Sequence, residues 1–128
     1  YPAIGGYKDF LNRHPDFIVE FEIDLCDEMK NAKPYQGMRT DFLYHGDDPQ
    51  IDGIYMIWPE LLDEDGIPIE DESPGSLPIK GKANMWIVSE EMREYHLNRL
   101  EIGTKGYWVK GPYKIANVTV IEFGAKYC

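Results

Sequence analysis

The sequence predicts an all-β fold, a small six-stranded antiparallel closed barrel preceded by a short N-terminal arm or helix. Three observations carry this expectation. Between Asp16 and Leu25 the chain alternates almost without error, with Phe17, Val19, Phe21, Ile23 and Leu25 on one face and Glu20, Glu22 and Asp24 on the other; that period of two marks a strand with one buried and one wet face. Short apolar runs recur downstream, each bounded by Gly, Pro, Asn or Asp. Long amphipathic helical segments between them are missing, which argues against a βαβ arrangement.

The elements follow in order. Residues 1–15 form an arm: Gly5-Gly6 opens loosely, Tyr7, Phe10 and Leu11 have helical spacing, and His14-Pro15 stops any helix. Residues 16–128 then make one β-barrel domain, since 128 residues suit a single core. After the strand at Asp16–Leu25, a second is expected over Gly37–Tyr44, ended by His45-Gly46-Asp47-Asp48-Pro49, and a third over Gly53–Trp58, stopped by Pro59. Residues 60–79 carry seven acids, three prolines, two glycines and no Lys or Arg, the composition of a long exposed loop or a hairpin excursion. A fourth strand lies over Lys82–Ser89. Ser89–Leu100 is open between a short capped helix and a wide turn. Thr104–Lys110 and Lys114–Phe123 are two strands joined at Gly111-Pro112. Phe17, Phe21, Ile23, Met85, Ile87, Val118 and Val120 are expected to share one core.

The order of these segments resembles the third domain of elongation factor Tu and its relatives. The similarity is strongest over Gly81–Phe123, where Gly81, Ala83, Met85 and Ile87 match a "G-x-x-V/A-x-M-x-V" strand, and Lys105–Lys110, Gly111 and Lys114–Val120 match the family's closing hairpin. Upstream, Pro34–Phe42 is similar to its "P-x-x-x-G-Y-R-P-Q-F" strand, although Thr40 stands where that pattern has Pro, and Gly53–Glu60 to its "G-x-I-x-L-P-E". The resemblance implies a six-stranded barrel. It does not carry over GTP binding, because the chain has no G-x-x-x-x-G-K-[ST] phosphate loop.

Charge is distributed unevenly. Residues 1–79 hold 18 acids against 5 Lys/Arg, and residues 80–128 hold 5 acids against 8, for a net −10 overall. A strongly negative molecule repels phosphate backbones, so a nucleic-acid partner is disfavoured and a protein with a basic surface is favoured. Asp63, Glu64, Asp65, Glu70, Asp71 and Glu72 are the candidate partner-binding residues. The same cluster lacks the order of a calcium loop, so no metal is assigned to it. His45 beside Asp47 and Asp48 could serve as an acid/base group, but no nucleophile accompanies it, and a loop histidine is the more economical reading. His14, His45 and His96 share no metal-ligand spacing. Lys105, Lys110 and Lys114 interleave with Tyr107, Trp108 and Tyr113, a composition that could stack on bases; alternation in a hairpin instead points the aromatics to the core.

No nucleophile motif is present, so no catalytic residues and no cofactor are assigned. Cys26 and Cys128 show no paired or metal-binding spacing. No basic segment followed by an apolar run opens the chain, and no apolar run is long enough to span a bilayer; the expected compartment is the cytoplasm. The expected function is that of a non-catalytic protein-binding module, a regulator or neutralising partner of a basic protein. A translation-linked accessory domain contacting RNA or a GTPase is the alternative.

Overall fold

The computed structural model describes residues 15–33, 35–36, 38, 40–70 and 77–123. Six strands form one antiparallel sheet: β1 (Phe17–Ile23), β2 (Asp41–Tyr44), β3 (Ile57–Leu62), β4 (Lys80–Ile87), β5 (Lys105–Lys110) and β6 (Tyr113–Phe123), in the order β2-β5-β6-β1-β4-β3. A helix, α1 (Glu90–Arg99), connects β4 to β5, and a 3₁₀ turn at Asp27–Met29 follows β1. The expected arm at residues 1–14 lies outside the described residues.

β1 is central, paired with β4 on one side and β6 on the other, and its alternation turns Phe17, Val19 and Phe21 to the buried face. Phe17 faces Met85 on β4 and Phe123 on β6, and Phe21 faces Gly81 and Val118. Phe17, Phe21, Met85, Ile87, Val118 and Val120 are buried together as expected, and Ile23 packs half-buried against them. At one end of the sheet, α1 is tied to the start of β1 by Asp16. The Asp16 carboxylate is fully buried, accepts the Ile87 N–H at 2.8 Å, and meets Arg93 Nε at 2.7 Å.

The expected closed barrel is corrected to an open half-barrel that turns through 209°. Bulges at Ile18/Val19 and Trp108/Val109 bend the sheet, yet β2 and β3 remain its two edges. No ladder joins these two strands to each other. One bridge joins the β2 edge to the chain just before β3: Phe42 and Tyr55 exchange hydrogen bonds of 2.8 and 3.0 Å.

Several boundaries also differ. β3 runs through Pro59, which had been expected to end it; an edge strand tolerates Pro because one row of its N–H groups has no ladder partner. β2 spans Asp41–Tyr44, with Met38 and Thr40, which had been expected within it, outside the strand; Gly37 lies outside the described residues. Between Ser89 and Leu100 the chain forms the ten-residue helix Glu90–Arg99 and not a wide turn. Ser89 occupies its N-cap position with extended backbone and makes no side-chain capping bond.

Candidate functional site

The acidic segment is built as a hairpin excursion. Beyond β3 the chain reverses at Asp63–Gly66 and returns alongside itself, with Leu62 bridged to Pro68. Asp63 makes this turn. Its N–H donates to Ile67 O at 2.8 Å, and its Oδ1 accepts the N–H groups of Asp65 at 2.8 Å and Ile67 at 3.0 Å. A side chain that captures backbone N–H groups two and four residues on fixes the loop locally. Gly66, at φ 80°, supplies the left-handed residue the turn requires.

Gln36 fastens the base of the hairpin. Its Nε2 donates to Leu61 O at 2.9 Å and Ile69 O at 3.0 Å, and its Oε1 accepts the Leu61 N–H at 2.9 Å. The side-chain amide thus reinforces the pairing of β3 with the returning chain, in which the Ile69 N–H donates to Leu61 O at 3.0 Å.

The candidate residues therefore divide. Asp63 is consumed in holding the turn. Glu64, Asp65 and Glu70 are exposed and form no ion pair among the described residues, and Ile67 stands between them 57% exposed. Asp71 and Glu72 lie outside the described residues. Gln36 and Ile67 carried no functional signal in the sequence, because neither a lone glutamine nor a loop isoleucine belongs to a motif.

At the far end of β2 lies a polar–aromatic cluster that the sequence did not reveal. His96 of α1 is buried, with its Nδ1 hydrogen-bonded to the buried Tyr44 hydroxyl at 2.8 Å and the Tyr55 ring edge-on at 4.5 Å. The Arg99 guanidinium lies 3.7 Å over the Tyr44 ring, bonds Asp47 Oδ1 at 2.8 Å, and donates to the Tyr95 hydroxyl at 2.9 Å. Burial, reinforced by the charge of Arg99, lowers His96 from 6.5 to about 4, so its imidazole is neutral near pH 7. Burial likewise pushes the Tyr44 phenol well above its usual value, and the Asp47 bond raises Arg99. A neutral imidazole facing a phenol that resists ionisation is a poor proton-transfer pair. The arrangement locks α1 across the sheet end.

The His45–Asp47–Asp48 grouping is dispersed by the fold. His45 is exposed and bonds the Tyr107 hydroxyl through Nδ1; Asp47 turns to Arg99; Asp48 Oδ1 accepts the Gln50 N–H at 2.8 Å. The lysine–aromatic strip is divided as well. Trp108 is wholly buried and stacks on Phe21 at 5.1 Å, while Tyr107 is half-buried and Tyr113 exposed, so only part of the strip is core. Lys114 is bound to Asp24 at 2.7 Å, which holds the Asp24 carboxyl below its usual range. Cys26 is a half-buried free thiol, and Cys128 lies outside the described residues. Among the described residues no group of His, Cys, Asp and Glu is placed to hold a metal ion, and no helix is long and apolar enough to cross a membrane.

No protein-family model and no curated protein matches this chain.

Proposed function

We propose that the protein is a non-catalytic protein-binding module whose acidic hairpin docks on a basic surface of another protein. One observation carries the reading: Glu64, Asp65 and Glu70 are held out, unneutralised, on a turn already fixed by Asp63 and Gln36, with an exposed Ile67 among them. A pre-fixed turn lowers the ordering cost of binding. Opposite potentials steer encounter, and a central apolar side chain supplies the contact that slows dissociation.

The resemblance to the third domain of elongation factor Tu supports a second reading, a translation-linked accessory domain. Gly81–Phe123 holds β4, β5 and β6 in the order that resemblance implies, and Lys105 and Lys110 stand exposed on the β5–β6 hairpin. RNA or a GTPase would then be met through that less acidic half.

Affinity capture followed by association kinetics with the captured protein tests the first reading. The variant carrying Glu64→Gln, Asp65→Asn and Glu70→Gln spares Asp63 and so keeps the turn. Its association rate should fall about tenfold at low ionic strength. The wild-type rate should itself fall as salt shortens the screening length below about 10 Å. Equal rates for variant and wild type at low salt would reject the hairpin as the docking element. Loss of binding on Lys105→Glu and Lys110→Glu instead would favour the second reading.

A further inference from the structure

The open side of the half-barrel is a seam between the β2 edge and β3. Phe42 and Tyr55 exchange both backbone bonds across it, and so fix an antiparallel register. Stepped two residues at a time, that register would set Thr40 against Ile57, Met38 against Pro59 and Gln36 against Leu61. Thr40, Met38 and Gln36 are all buried. Yet none of the three pairs forms a bridge.

Each pair is stopped by a different means. The Ile57 N–H donates to Tyr55 O at 2.9 Å, within its own chain, and the Met38 N–H donates to Tyr35 O at 3.2 Å. Pro59 has no N–H to give. At Leu61 the edge is already taken. Its carbonyl accepts the Ile69 N–H at 3.0 Å, and two residues on the Asp63 N–H donates to Ile67 O at 2.8 Å. The returning chain of the hairpin is therefore paired with the length of β3 that a closed barrel would give to the backbone at Gln36. Gln36 meets Leu61 only through its side-chain amide, which also reaches Ile69 O at 3.0 Å. Its backbone stands a side chain's length back.

The first two obstacles each withhold a hydrogen bond. The third excludes closure outright, because one face of a strand edge holds one neighbouring strand.

We propose that hairpin seating and barrel closure are alternative states of this one edge. Seated on Leu61 and Asp63, the returning chain is the wedge that keeps the half-barrel open; lifted, it lets the seam zip from Phe42–Tyr55 toward Gln36–Leu61. Two discrete pairings of one edge make a bistable element. It operates whether or not a partner uses the hairpin.

Amide-to-amide NOEs recorded on the full chain test this, since a hydrogen-bonded antiparallel pair brings its two amides together. Exchange at Val19 and Val118, whose bonds belong to the central ladders, reports an intact sheet. Ile69→Pro removes the N–H that seats the returning chain and should bring up a Gln36–Leu61 NOE that the wild type lacks. Adding Pro59→Val supplies a donor in mid-seam. A NOE between Met38 and residue 59 should then join the first, and exchange at residue 59 should be about tenfold slower than in Pro59→Val alone. If Ile69→Pro quickens exchange at Val19 and Val118, Asp63→Ala is read in its place; it loosens the turn from an exposed side chain and should give the same Gln36–Leu61 NOE at lower intensity. Absence of that NOE from the hairpin variants while the central ladders stay protected would overturn the proposal. So would its presence in Pro59→Val alone with the Leu61–Ile69 NOE retained, since the hairpin would then be no obstacle.

Discussion

At the scale of single residues, His96 has the clearest consequence. Its folded-state value of about 4 lies below the 6.5 of an unperturbed imidazole. On acidification the unfolded chain therefore takes up this proton first. The stabilising contribution is complete above pH 6.5 and is lost as pH falls through about 4. Across that window the wild type should lose about 3 kcal/mol relative to the His96→Gln variant, measured by urea unfolding at a series of pH values. An NMR titration placing His96 near its ordinary value would refute the burial argument. Gly106 is constrained differently. A Cβ there would lie 2.5 Å from Phe42 Cζ and 2.8 Å from Leu43 O, so Gly106→Ala should cost about 2 kcal/mol or more by forcing β2 away from β5. Phe21→Ala should cost about 3–5 kcal/mol, since it removes a buried ring and the partner stacked on Trp108.

At the scale of elements, β3 and its hairpin depend on one side chain from another segment. Gln36→Leu removes all three bonds to Leu61 and Ile69 while keeping an apolar side chain of similar size. The buried Leu61 N–H then loses its partner, and the expected cost is about 2–4 kcal/mol. Amide exchange should quicken at Leu61, Ile67 and Ile69 and stay unchanged at Val19 and Val118, whose bonds belong to the central ladders. Uniform quickening across the sheet would show that the hairpin is not a separately held unit. The other edge is held by the backbone bridge between Phe42 and Tyr55 and by the side-chain cluster around His96, so both edges are secured by short local contacts where a closed barrel would use a continuous ladder.

At the scale of the whole molecule, folding sets the two unequally charged halves against each other. Acidic β1 lies between β4 and β6: Glu22 meets Lys80 at 3.1 Å, Glu20 stands opposite Lys82, and Asp24 meets Lys114 at 2.7 Å. These pairs are exposed and contribute little singly. Together they satisfy part of the acidic half within the sheet, while Glu64, Asp65 and Glu70 form no ion pair among the described residues. With a net −10, residual self-repulsion should be relieved by salt, so Tm should rise between about 0.01 and 0.15 M ionic strength. A Tm that falls over that range would mean the paired charges outweigh the unpaired ones.

The strict alternation around Phe21, the apolar runs at Met85–Ile87 and Val118–Val120, and the Gly111-Pro112 turn were enough to place four of the strands, because strand patterning is local and a half-buried face writes its period into the sequence. The composition of residues 60–79 suggested a long exposed loop or a hairpin excursion; the chain turns at Asp63–Gly66, but Glu60, Leu61 and Leu62 belong to β3, with both leucines buried. The sheet's failure to close, the passage of β3 through Pro59, the burial of His96 against Tyr44, and the division of labour between Asp63 and its neighbours were decided by tertiary structure alone. Each depends on which edge a backbone group faces or which distant side chain reaches it, and separations such as Gln36 to Leu61 or Tyr44 to His96 leave no periodic trace along the chain.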